Sequence, residues 1–160
     1  MTTLILIRHA KSDWGDARLD DHDRPLNDRG LRDAPVLAQR LAATGVRPGV
    51  LLSSTALRAR TTAEFFGAAL GLTPQLRDEL YGAPARTLRA AAAAAGTQAG
   101  AEGVVVVAHD PGMTVLADDL SGGGIGHMTT CAVATFRWDT DDWEVAAATD
   151  PASWDFDSPR

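Results

Sequence analysis

Apolar residues in this chain gather into a few short dense runs, separated by longer stretches in which they recur at helical spacing. Residues 3–7 (TLILI), 50–53 (VLLS) and 104–108 (VVVVA) carry almost no polar position. Runs of that length, rich in Ile, Leu and Val, predict strands buried on both faces, as in the parallel sheet of an α/β protein. A further strand is expected over residues 73–77. Residues 129–138 and 143–148 alternate, which predicts two more strands forming a hairpin about residues 139–142.

Between these runs the period changes. Leu31, Ala34, Leu37, Ala38 and Leu41 recur at helical spacing up to Gly45, with Asn27 suited to cap the helix and Asp28 to complement its dipole. Pro35 inside that pattern predicts a bend or an interruption. Ser53, Ser54 or Thr55 can cap a second helix over residues 56–70, which ends at Gly71 and carries Arg58 in or beside its first turn. Residues 88–101 are nearly all alanine, the best helix former, and residues 113–120 predict a short helix. The glycines of residues 121–126 (SGGGIG) miss the dinucleotide-binding spacing and follow a helix where that motif follows a strand, so the segment is a flexible connection. Trp154 and Phe156, in the acidic tail, are expected to cover the edge of the core.

Composition narrows the setting. A length of 160 residues fits one domain, expected over the whole chain, and 45% apolar with 22% charged residues is the balance of a soluble globular protein. The lone Cys131 rules out an intramolecular disulfide framework and fits a reducing cytoplasm. No apolar run approaches the roughly 20 residues of a membrane helix, and Arg8 follows the first apolar run where a secretory signal would place its charge ahead. A net charge of −6 argues against general nucleic-acid binding. Any anion this protein holds must therefore be held by a local cluster.

Three strand ends supply one. The first run ends at Arg8 and His9, the second at the helix start bearing Arg58, and the third at His109. Singly, each has an ordinary explanation: a strand end meeting water, or an arginine pairing with Glu64 or Asp78. In a parallel sheet, however, these ends share the edge where ligands bind. Two guanidinium groups around two imidazoles suit a doubly charged tetrahedral anion such as phosphate. One imidazole can attack phosphorus while the other stabilises the transferring group, which makes a phosphoryl-transfer centre that needs no metal. The run Asp20, Asp21, His22, Asp23 diverges too much for a metal site and is expected to be a solvated loop.

Arg8-His9-Ala10 resembles the Arg-His-Gly/Ala signature of the histidine phosphatase superfamily, and RHAKSDW with DHDRPLNDRG resembles its small SixA-like phosphohistidine phosphatase branch. The likeness spans nearly the whole chain. Ser53, Ser54, Arg58, Ala59 and Thr62 match the family's Ser-Ser-Pro-x-x-Arg-Ala-x-Gln-Thr segment, with Thr55 in place of the proline and Thr61 in place of the glutamine. His109, followed by Asp110-Pro111-Gly112, matches the second family histidine. The resemblance implies that His9 is the nucleophile and that Arg8, Arg58 and His109 bind the phosphoryl group. It also implies a three-layer α/β/α fold of the phosphoglycerate-mutase-like kind, with a central, mostly parallel sheet and an antiparallel edge.

Glu79 lies about where the resemblance places a general acid, with Asp110 the competing candidate, and Asn27 falls where related enzymes put a polar residue near phosphate. The chain offers little material for a lid, since the polar stretch before Asn27 is its only long insertion near the site. An open site suits phosphohistidine on a protein partner; a small phosphomonoester is the alternative substrate. A mutase fits less well, because it must exclude water. A phosphate-recognition module without turnover is the rival from another class.

Overall fold

Six strands and five helices account for the runs described above, and the computed structural model describes residues 1–160. In chain order these are β1 (Thr2–Arg8), α1 (Asp28–Ala43), β2 (Val50–Ser54), α2 (Leu57–Leu70), β3 (Gln75–Arg77), α3 (Ala85–Ala99), β4 (Gly103–Ala108), α4 (Gly112–Leu120), β5 (Val133–Trp138), α5 (Trp143–Ala148) and β6 (Ser153–Asp157). They form one sheet in the order β3-β2-β4-β1-β5-β6. The first four are mutually parallel, while β5 runs antiparallel to β1 and β6 antiparallel to β5.

The uninterrupted apolar runs are explained by helices on both faces. Successive side chains on a strand point to opposite faces. Leu4, Leu6, Val104 and Val106 accordingly join one core cluster with Leu88 of α3, Leu116 of α4 and Trp143 of α5. Ile5, Ile7, Val105 and Val107 join the other, with Leu37 of α1 and Phe66 of α2. The result is three layers, α/β/α. In register, Ile7 lies opposite Val107 and Arg8 opposite Ala108, so β1 and β4 finish side by side.

Three expectations are corrected. Residues 143–148 form α5 and not a strand: the Asp142 side chain accepts from the Glu144 N–H at 2.9 Å, and Trp143 and Ala146, three residues apart, bury one helical face. The hairpin partner of β5 is instead β6, so Trp154 and Phe156 belong to an edge strand that covers β5 by main-chain pairing, opposite Phe136 and Ala134. Pro35 does not interrupt α1, which continues to Ala43 because Ala34, Leu37, Ala38 and Leu41 are buried against the sheet. Leu31 is exposed, and Gly30 takes the buried position at the start of the helix. A Cβ on Gly30 would lie 2.2 Å from the Lys11 carbonyl oxygen, so this close approach of α1 to the exit of β1 requires glycine.

Candidate active site

Where β1, β2 and β4 end, a cavity of about 200 Å³ opens, lined among others by Arg8, His9, Arg58 and His109. Topology explains the convergence: β1 and β4 are neighbours, β2 is next to β4, and Arg58 is the second residue of the helix that follows β2. The rings of His9 and His109 lie with their centroids 5.1 Å apart. Both imidazoles are buried, as is Arg58.

The hydrogen bonds fix the state of His9. Its Nδ1 lies 2.7 Å from the Ala10 carbonyl oxygen, which can only accept, so Nδ1 carries the proton. In the neutral ring Nε2 then bears a free lone pair. The strand exit is itself tied down: the Cys131 N–H reaches the carbonyl oxygens of both Arg8 and His9 at 3.1 Å, and the Ala10 N–H donates to Thr62 Oγ1 at 3.0 Å. Cys131 has φ 63, a left-handed conformation uncommon outside glycine. Its thiol is pushed up to about 12, chiefly by burial, which leaves it unreactive.

Electrostatics keep both imidazoles neutral. Burial is the largest influence on His9 and, with His109, Arg58 and Arg8 nearby, pulls it down to about 3. For His109 burial again leads, followed by Arg58, and the value falls to about 4. His109 Nε2 is 2.7 Å from Ser54 Oγ, while its Nδ1 is buried without a partner, as are Arg8 Nε and Arg58 Nε. Each of these residues thus keeps one buried nitrogen without a hydrogen-bond partner.

The polar stretch before Asn27 forms part of the site. Asp21 accepts from Arg58 Nη2 at 2.9 Å, Arg24 Nε at 3.1 Å and the Tyr81 hydroxyl at 2.5 Å, and its main-chain oxygen accepts from Arg58 Nη1 at 2.6 Å. Arg58 therefore pairs with Asp21, not with Glu64 or Asp78. These bonds, that of Tyr81 foremost, hold the Asp21 carboxyl well below the usual range. Tyr81 in turn meets His109 edge-on, with ring centroids 5.5 Å apart. Arg24 is buried in the cavity wall, donates to Ser12 Oγ at 2.7 Å and lies 3.4 Å from the centroid of the Trp14 ring. Asp21, Arg24, Trp14 and Tyr81 escape a reading by local period. The available signal is Pro25-Leu26, an apolar pair within polar residues: Leu26 is buried and bridges to Ser12, which folds the stretch back over the site.

Of the remaining candidates, Asp110 lines the cavity and Glu79 and Asn27 do not. Glu79 is exposed, its carboxylate 3.8 Å from Arg77. Asn27 is engaged as the cap of α1, accepting from the Gly30 N–H at 2.9 Å. The Asp110 carboxylate accepts from the Thr114 N–H at 3.0 Å and the Thr114 hydroxyl at 2.7 Å, and lies 3.5 Å from Arg8 Nη1, which also donates to the Met128 carbonyl at 2.9 Å.

Known proteins resemble this chain in sequence and in fold. Residues 4–83, half of the chain, match the histidine phosphatase superfamily (branch 1), and the chain belongs to that superfamily. An uncharacterised chloroplastic protein of Arabidopsis thaliana is 33% identical over 94% of this chain and 73% of its own length. Within the superfamily the chain falls in the SixA-like branch. A protein from Nakamurella multipartitia assigned as the phosphohistidine phosphatase SixA superposes with a TM-score of 0.83 at 29% identity, covering 99% of this chain and 96% of that one. One from Agrobacterium tumefaciens with the same assignment gives 0.80 at 27% identity, over 99% of both chains. The three-layer fold with an antiparallel edge is thus that of the phosphoglycerate-mutase-like proteins.

Proposed function

We propose that the protein is a metal-independent phosphatase that works through a phosphorylated His9 and takes its phosphoryl group from phosphohistidine on a protein partner. The observation that carries this reading is the neutral His9, its Nδ1–H committed to Ala10, beside Arg8, Arg58 and His109 in one cavity. His9 Nε2 attacks phosphorus as the bond to the leaving group breaks. Arg8, Arg58 and His109 hold the equatorial oxygens, where charge gathers in the transition state. Water then attacks the phosphoryl group on His9, releasing inorganic phosphate and the free imidazole. The positive charge supplied by the arginines takes the role a metal has elsewhere.

The carboxylates favour a nitrogen leaving group. An alkoxide needs a proton as it departs, whereas phosphohistidine protonated on its second ring nitrogen already carries that proton and releases neutral imidazole, a much weaker base with a conjugate-acid pKa of about 6.5. Asp110 is occupied as an acceptor for Thr114 and Arg8, and Glu79 faces Arg77, so no carboxyl group is placed as a dedicated acid. In this reading Asp110 holds Arg8, and Glu79, expected as the acid, lies outside the cavity lining.

Rapid quench with labelled substrate should yield an acid-labile, base-stable phosphoenzyme in the wild type and none in His9→Ala. Persistence of the phosphoenzyme in that variant would remove His9 from the nucleophile role. Binding of phosphate with no turnover of phosphoramidate, phosphohistidine or an aryl phosphate would favour the recognition module. Loss of activity with a chelator, restored by magnesium or zinc, would overturn metal independence.

A further inference from the structure

We propose that Trp14 is a stacking platform for the planar leaving group, and so a specificity-determining residue; this rests on the phosphatase reading above. Trp14 lines the same cavity as His9 and Arg58, yet it is 71% exposed, the most exposed large apolar side chain in the protein. Burial would stabilise an indole of this size substantially. Its exposure at the cavity mouth is therefore a feature of the site and not of the core.

The indole is also held in place. The Arg24 guanidinium lies 3.4 Å from the ring centroid. Arg24 is itself only 7% exposed and is fixed by Ser12 Oγ at 2.7 Å, Asp21 at 3.1 Å and the Asp13 carbonyl oxygen at 3.5 Å. One face of the indole is thus engaged by a cation whose position is over-determined, and the ring's remaining surface is open at the rim. A free surface loop would not need that support.

The reaction says what meets this surface. In-line attack by His9 sends the leaving group away from the buried imidazole, outward through the mouth that Trp14 lines. The departing imidazole of phosphohistidine is planar and aromatic, and offset stacking of such rings is worth roughly 2- to 10-fold in binding. Ammonia departing from phosphoramidate offers no ring to stack. Trp14 therefore separates substrates by the shape of what leaves, while the phosphoryl group is held identically in all of them.

The test compares kcat/KM for phosphohistidine and phosphoramidate in the wild type, Trp14→Ala and Trp14→Phe. The ratio of the two values should fall by about 3- to 10-fold in Trp14→Ala and be largely kept in Trp14→Phe. Equal losses on both substrates, or a ratio that falls as far with phenylalanine as with alanine, would overturn the stacking role while leaving the phosphatase reading intact. A wild type that turns over neither compound overturns the phosphatase reading and this proposal with it. Because Trp14 is exposed, both variants are expected to fold, and circular dichroism melts check this.

Discussion

Two neutral imidazoles buried in one site make acid the protein's weak point, and the size of the effect follows from their environment. His9 and His109 are 7% and 6% exposed, and in the folded state they sit at about 3 and about 4. In the unfolded chain an imidazole titrates near 6.5. Both folded values lie below the unfolded one, so between about pH 6.5 and pH 4 the unfolded state binds more protons, and stability falls as pH falls. At pH 5 each histidine costs about 2 kcal/mol relative to pH 7.5, about 4 kcal/mol together, a sum that depends little on the folded values because both lie below 5. Asp21 has a depressed folded pKa, so its contribution is full above the usual carboxylate range and is lost only in stronger acid. For a chain of this length the drop corresponds to roughly 8–16 °C in Tm. Thermal and urea melts of the wild type, His9→Gln, His109→Gln and the double variant at both pH values would measure it. Each single variant should lose about half of the pH difference and the double variant most of it. A wild type with the same midpoint at pH 7.5 and pH 5, or a double variant with an undiminished difference, would refute the buried neutral pair.

Asp21→Asn should lower kcat/KM by roughly 10-fold, mainly through KM, because it weakens the acceptor shared by Arg24, Arg58 and Tyr81, while the half-exposed carboxylate adds little to stability; steady-state kinetics with melts separate the two. Glu79→Gln should change kcat/KM by less than about 3-fold on alkyl phosphates and phosphohistidine alike, and a selective loss of about 100-fold on alkyl phosphates would return the acid role to Glu79. Gly30→Ala and Gly112→Ala should each destabilise by about 2 kcal/mol in urea titrations, since the added Cβ would lie 2.2 Å from the Lys11 oxygen and 2.1 Å from the Ala83 oxygen.

The parts of the site that sequence reveals are those fixed by local pattern. Arg8, His9 and His109 close apolar runs whose burial on both faces is set by composition alone, and Arg58 follows a run that must turn into a helix. The ring of partners around them is long-range. Asp21 meets Arg58 and Tyr81 only because the stretch after β1 is pinned by the Ser12–Leu26 bridge, and no periodicity within DDHDRP reports such a contact. Helix α5 departs from the strand predicted over residues 143–148 for a different reason. WEVAAA satisfies a period of two at Trp143 and Val145 and a spacing of three at Trp143 and Ala146, and the deciding feature is Asp142, whose side chain caps the helix. The alternating SWDFD of β6 is a strand signal set within an acidic tail.

The site divides between two kinds of backbone, and on the proposed function this division lets a small chain be both reactive and selective. Arg8, His9 and His109 sit at the ends of adjacent parallel strands, where sheet register and the Cys131 N–H leave them little freedom. Burial at those strand ends holds the His9 imidazole neutral beside two guanidinium groups, the state that the proposed nucleophile needs. Trp14 and Arg24 sit instead on a connection without a helix or strand of its own beyond one short turn, attached to the rigid part through Ser12 and Asp21. On the proposed function, phosphoryl chemistry rests on the sheet, and the choice of leaving group on the loop above it.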